Sequence, residues 1–330
     1  MRATARVRQC RQRGDSPESG VSPAVMAAAC ISALLIFLSF GFSALAAEKT
    51  IGVVLTGNIP YYKEIHKAFI EGLNEEGVLA SGKYDVVLQT PSPELMSWTN
   101  SIRKLAGIGS VIIVCYGAPA TLVAVDEAEV PVVFAGVYNP QALGISSQKA
   151  TGVSSKVPVA SILKSLKSIA NFTKLGIVFN EAEKDTVLQA NEVKQLEATY
   201  GYQSVRFSFK KSEDTSKISN VDALFITTGC SAMHCVQNIV DVARKAKIPT
   251  ASMLGGGEMD GIILTLTADP AEQGREAAKL VSRILKGEKP AALPIVQPKK
   301  IDLVINLKEA TALNLKVPFD LLTSATKVIK

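Results

Sequence analysis

Short β-branched runs alternate with longer helical patterns from Thr50 onward, and after about 110–125 residues the same series starts again. In the first pass, 51–55, 84–89, 110–115 and 131–134 have strand character, and 61–76, 94–106 and 120–127 carry the apolar period of helices. Val111-Ile112-Ile113-Val114 is a continuous apolar run, as parallel strands covered on both faces require. In the second pass the strands are 174–179, 203–209, 222–227 and 249–253, with helices at 185–199 and 234–247. Ile51-Gly52-Val53-Val54 corresponds to Leu175-Gly176-Ile177-Val178, and Val130-Pro131 to Ile248-Pro249. So long a spacing is a duplicated domain rather than a solenoid repeat. The expected fold class is α/β: two Rossmann-like, doubly wound lobes joined by hinge strands.

The tail adds a strand at 261–266, a helix at 271–286, a proline-bounded link at 289–298 and a strand at 301–305. Such an ending lets the chain cross between lobes near 150–155, 265–269 and 294–302. The expected division is a leader over 1–47, an N-terminal lobe of 48–152 plus about 268–298, and a C-terminal lobe of 153–267 plus about 299–330.

The leader follows from charge. Residues 21–47 carry none, Arg2, Arg6, Arg8, Arg11 and Arg13 precede them, and Ala44-Leu45-Ala46 supplies small residues for a signal peptidase. Export with cleavage near Ala46–Ala47 is the favoured reading, placing the protein in the periplasm or on the extracytoplasmic face. An uncleaved membrane anchor and a lipoprotein beginning at Cys30 are the alternatives. Without the leader's share, the formal charge of +6 falls to about +3, spread among acids. No basic groove interleaved with aromatics is present, so no nucleic-acid partner is expected.

Chemistry is sought in the turns after each strand, because open α/β sheets bind ligands outside the carboxyl ends of their strands. Those turns hold Thr, Gly, Asn, Ser and Tyr, groups suited to holding a small molecule rather than converting it. Thr56, Asn58, Tyr61, Thr121 and Tyr138 are expected on one wall of a cleft, and Ser154, Asn180, Thr228, Glu258 and Asp269 nearer the other. The helix start at 118–121, beginning with Ala118, would offer N–H groups to a carboxylate. The enzyme reading lacks its parts. Ser146, Ser154 and Ser231 lack the second glycine of a nucleophile elbow, His66 and His234 form no H-E-x-x-H pattern, and no nucleotide P-loop occurs. Cys115, Cys230 and Cys235 follow the leader. Cys230-Ser231-Ala232-Met233-His234-Cys235 can be read as inert thiols, as a disulfide, or as soft-metal ligands. It matches no structural zinc spacing, and neither a metal nor another cofactor is expected.

Pro131-Val132-Val133-Phe134 with Tyr138-Asn139-Pro140, Thr151-Gly152-Val153-Ser154, Leu175 to Asn180, Ile284 to Pro290, and Ile305-Asn306-Leu307 resemble ABC-transporter substrate-binding proteins of the tryptophan/tyrosine-uptake type. The resemblance spans about 49–330. It implies a type-I periplasmic binding-protein fold, an interlobe cleft that closes about a hinge, no catalysis, and an inner-membrane ABC permease with its ATPase as partners for a monomer. Asp269 matches an aspartate of that family's hinge turn and would receive an ammonium group of an amino acid or relative. The aspartate–asparagine pair frequent after the second lobe's Thr turn is Gly229-Cys230 here. The rival reading is a membrane-anchored sensing module of a signalling system built on the same lobes.

Overall fold

Two largely parallel sheets form, one from each pass of the repeat. The structure, a computed structural model, describes residues 49–330 except 146–147, 211, 230–232 and 256–260. The leader, Cys230 and Glu258 therefore lie outside the described residues.

The first sheet contains β1 (Lys49–Leu55), β2 (Tyr84–Gln89), β3 (Ser110–Tyr116), β4 (Val132–Val137) and β5 (Ala150–Ser154), in the order β2-β1-β3-β4-β5 with every pair parallel. Parallel neighbours need a crossover, which α1 (Pro60–Glu75), α2 (Leu95–Gly107) and α3 (Ala118–Glu127) supply. Strand β3 shows why both faces are apolar. Ile112, Val114 and Tyr116 pack with Ile65, Phe69 and Leu73 of α1, whereas Ile113 and Cys115 pack with Trp98, Ile102 and Leu105 of α2.

The second sheet contains β6 (Lys174–Phe179), β7 (Gln203–Ser208), β8 (Ala223–Ile226), β9 (Thr250–Ser252), β10 (Leu264–Ala268), β11 (Ile301–Asn306) and β12 (Lys327–Ile329). From one edge its order is β7-β6-β8-β9-β10, the same winding as the first sheet, followed by β11 antiparallel to β10 and β12 parallel to β11. Its helices are α4 (Val159–Ile169), α5 (Lys184–Gln195), α6 (Glu197–Tyr200), α7 (Val236–Ala246), α9 (Leu307–Ala312) and α10 (Phe319–Ser324), while α8 (Pro270–Leu285) returns to the first lobe and packs on α1. Helix α4 was not among the sequence expectations, although Val159, Ile162, Leu163, Leu166 and Ile169 bury one helical stripe. The strand expected at 261–266 starts only at Leu264, because Gly261 sits at φ +86° and turns the chain first.

The chain passes between sheets three times: from β5 to α4, from β10 to α8, and from the link after α8 to β11. Near the first and third passages Thr151 donates to Leu293 O (2.9 Å), Val296 N to Gly152 O (2.9 Å) and Ser154 N to Val296 O (2.8 Å). These bonds bundle the passages on one side of the molecule.

Helix α8 rests on α1 almost backbone to backbone. A Cβ at Gly274 would lie 2.3 Å from Ile65 O and 2.7 Å from Phe69 N, neither of which can swing away. Gly274→Ala should therefore cost about 1–3 kcal/mol by overpacking and lower the melting temperature by several degrees. Gly107→Ala, where a Cβ meets nothing within 4 Å, is the control and should leave it nearly unchanged. Equal melting of both variants would show that α8 does not seat this tightly.

Candidate functional site

Strand order reverses between β1 and β3 in the first sheet and between β6 and β8 in the second, and such switch points are where open α/β sheets leave a crevice. The two crevices face the same cleft from opposite lobes.

In the first lobe the crevice floor is a buried knot. Thr56 Oγ1 accepts from Ala120 N (3.2 Å), Trp98 Nε1 donates to Thr56 O (2.9 Å), and Thr121 Oγ1 donates to Gly117 O (2.7 Å). Gly117 lies at φ +93°, and a Cβ there would sit 2.3 Å from the Tyr62 hydroxyl. Thr56, Ala118 and Thr121 are all buried within this knot. The expected carboxylate seat is thereby reduced: Ala120 N is held by Thr56, Thr121 N donates to Gly117 O (3.3 Å), and Pro119 has no N–H. Asn58 stands exposed on the turn above.

Four other expected contacts hold the passages between lobes. Tyr61 donates to Ala268 O (3.2 Å) at the end of β10. Ser154 Oγ accepts from Lys156 N (3.2 Å), and Ser154 O accepts from Gln273 Nε2 (2.8 Å). The same Gln273 accepts Gly136 N (2.9 Å), a donor in the irregular stretch between Phe134 and Val137 where β4 shifts register on β5. Tyr138 is fully buried against the second lobe's core and donates to Glu192 Oε2 (2.7 Å) on α5, with Lys156 Nζ 3.4 Å from that carboxylate. Asp269 caps α8 by accepting from Glu272 N (2.9 Å), and its other oxygen pairs with Lys300. Burial opposes its ionisation, but Lys300 and the Glu272 N–H outweigh that and hold the carboxyl below the usual range. Asp269 is thus engaged at the hinge rather than open to an ammonium group.

The second lobe's crevice is more polar. Asn180 Nδ2 donates to Glu183 Oε1 (3.0 Å), and Asn180 Oδ1 accepts from Ala182 N (3.0 Å). Gln189 clamps Thr228, donating to its Oγ1 (2.5 Å) and accepting from its N (3.0 Å), and Thr228 Oγ1 reaches Asp185 Oδ2 at 3.4 Å. Asp185 is 3% exposed, and burial first, then the charge of Glu183, push its carboxyl up to about 7. Glu183 and Asp185 were missed from the sequence because acids opening a helix after a strand read as ordinary dipole partners, and Gln189 because nothing marks it within the helix. Trp98, the sole tryptophan, was the clearer signal passed over. In the cysteine cluster Met233 and Cys235 are buried and His234 is exposed. Among the described residues no group of three or more His, Cys, Asp or Glu is placed to hold a metal ion.

A cavity of about 550 Å³ opens between the lobes, on the side away from the three passages. Pro93, Glu94, Leu95, Trp98, Pro119, Leu122, Val123 and Asp126 form its first-lobe wall, and Asn180, Ala182, Glu183, Lys184 and Lys210 its second.

The sequence matches the family model described as ABC transporter substrate binding protein over residues 50–329. The chain belongs to this family. Its members serve ABC importers outside the cytoplasm by binding a small ligand and delivering it to a permease and ATPase. Among curated proteins no relative matches the sequence. Solved structures similar to this substrate-binding protein include an ABC domain from Streptococcus pneumonia in complex with L-Trp, at 22% identity and TM-score 0.80, covering 86% of this chain and 100% of that one. A conserved domain protein from Vibrio cholerae matches at 22% identity and TM-score 0.81, covering 85% and 99%. An ABC transporter solute binding protein from Bacillus halodurans with bound myo-inositol matches at 11% identity and TM-score 0.55, covering 82% and 97%. These likenesses establish the two-lobe type-I periplasmic binding-protein fold. Among the described residues, no helix is long and apolar enough to cross a membrane.

Asp185 makes stability depend on pH in a defined direction. An unfolded aspartate titrates near pH 3.9, whereas the folded carboxyl holds its proton up to about 7. Between those values folding takes up a proton, so stability falls as pH rises through the window. Asp185→Asn should remove this fall, making the ligand-free variant more stable relative to wild type at pH 8 than at pH 4. Parallel melting curves for the two proteins from pH 4 to 8 would contradict a proton held on buried Asp185.

Proposed function

We propose that this substrate-binding protein captures a small organic molecule, an amino acid or a close relative, in the interlobe cleft and presents it to an inner-membrane permease by closing about its three passages. The observation that carries this reading is the cleft itself: two switch-point crevices face one another, and a cavity lined from both lobes lies at their mouth. Its volume is that of a site for a small molecule. A ligand bridging both walls has higher affinity for the closed form, and that difference shifts the population towards it.

The assignment of lobes remains 48–152 plus about 268–298, and 153–267 plus about 299–330; the seating of α8 on α1 supports it. The arginine-rich start and uncharged run support export with cleavage near Ala46–Ala47 and a periplasmic location; the protein is read as a monomer. Among the expected contacts Asn180 lines the cavity, and Asn58, exposed on the turn after β1, and Thr228, after β8, are kept as contacts in this proposal. Thr56, Ala118 and Thr121 support the first wall from beneath, and Tyr61, Tyr138, Ser154 and Asp269 set the hinge. The L-Trp held by the Streptococcus pneumonia protein supports an amino-acid ligand, against the myo-inositol held by the more distant one.

A ligand at 100 times its dissociation constant adds about 2.7 kcal/mol of apparent stability, a melting shift of about 5–10 °C for a chain of this size. Native mass spectrometry of gently purified protein should show a co-purified small molecule, and its return to the stripped protein should reproduce that shift. A protein that carries no small molecule and is stabilised by none would end this reading.

A further inference from the structure

Two charges that border the cleft stand at the wrong ends of their own helices. Asp126 lies in the last turn of α3, where the helix dipole disfavours an acid, and Lys184 is the first residue of α5, where it disfavours a cation. Neither has a partner within its helix. Side chains meet three or four positions apart on a helix; those before Asp126 are Val123 and Leu122, and those after Lys184 are Val187 and Leu188. Both charged residues are exposed, and neither takes part in an ion pair among the described residues. Glu127, which follows Asp126, is by contrast held by Arg103 at 2.8 Å.

The two charges face one space. Asp126 and Lys184 line the same cavity from opposite lobes, and α3 and α5 approach each other across the cleft. Asp126 also borders a groove outside the cavity, between α2 and α3, which places it at the cavity's outer edge. The ends of the helices carry the same signs as the side chains: α3 presents its negative end beside Asp126, and α5 its positive end beside Lys184. Glu94 and Lys210, both exposed, repeat the order, with the acid on the first wall and the lysine on the second.

The geometry points to an electrostatic latch: Asp126 of the first lobe and Lys184 of the second pair across the mouth as the lobes close, and the pair holds the closed form. This rests on the solute-binding reading and adds a device that acts on closure rather than on the ligand. Each charge is disfavoured by its own helix in the open form, and closure brings it the opposite charge. A contact made in one state alone shifts the population towards that state. The flexible four-carbon stem of Lys184 lets its ammonium group cross the gap. A pair this exposed favours closure by about twofold to fivefold, so the bound molecule still decides occupancy and the latch sets how fast it leaves. Direct contact with that molecule suits the pair less well, because ligand sites enclose most of their occupant and both side chains are exposed.

Two measurements on the protein as purified test this. A water-soluble carbodiimide joins a carboxylate to an amine only while the two touch, and peptide mass spectrometry should find an amide between Asp126 and Lys184 within one chain. Glu276 and Lys279, 2.8 Å apart inside α8, supply the reference amide. The second measurement is the rate at which the co-purified small molecule leaves on dilution, followed by native mass spectrometry. Asp126→Lys and Lys184→Glu should each speed its release severalfold, and the two together should return it to within twofold of wild type. Each reversal suits its own helix, so neither should lower the melting temperature, and faster release cannot be assigned to unfolding. Formation of the reference amide without the Asp126–Lys184 amide would overturn the latch. So would a double variant that releases the molecule as fast as the single ones, the result expected if these charges touched the bound molecule itself. Either outcome with a small molecule bound leaves the solute-binding reading intact. If native mass spectrometry finds none bound, that reading falls and the latch with it.

Discussion

Parallel strands cannot be joined by tight turns, and that constraint governs the molecule. Each strand must be followed by a crossover that returns the chain to the same edge, so all parallel strands of a sheet end on one side. In both lobes those ends meet at a reversal of strand order, which opens a crevice there. Duplication then sets two such crevices in one chain. Because the three passages between sheets lie together near β5 and β10, the lobes are tied on one side and open on the other.

Function follows from how the two crevices are filled. The first is closed by its own hydrogen bonds: Thr56, Gly117, Ala120 and Thr121 satisfy one another, and Trp98 fastens the floor from α2. The second contains a carboxylate that its neighbours do not fully satisfy. The first wall sets apolar side chains beside Glu94 and Asp126, and the second carries Glu183, Lys184 and Lys210. Polar groups on both walls with apolar surface between them suit a small molecule held from both lobes. Tyr138 and Glu192 join the two lobes directly, so displacement of α5 is felt at the turn after β4.

The fold was legible because its signals are local and periodic. The strands at 84–89 and 174–179 coincide with their sequence expectations, and the duplicated winding was visible in paired apolar runs. Helix α4 was missed despite its stripe because it lies between a passage and the next strand, outside the repeated pattern. The site was far less legible. Turn composition located the strand ends but could not tell a ligand contact from a hinge contact. Tyr61, Tyr138 and Asp269 are of a type that binds amino acids, yet each has a partner distant in sequence that occupies it: Ala268, Glu192 and Lys300. The converse error hid Asp185, since an acid at a helix start has an ordinary explanation until its burial is known.

Closure of the cleft is the central claim, and a distance across its mouth tests it most directly. Glu94 and Lys210 are exposed and line the cavity from opposite lobes. Spin labels at these two positions, with double electron–electron resonance recorded before and after removal of the co-purified ligand, would report the separation of the walls. Hinge closure requires a short, narrow distribution with ligand and a longer, broader one without it. The same distribution in both states would show that the lobes do not move with occupancy, and would contradict it.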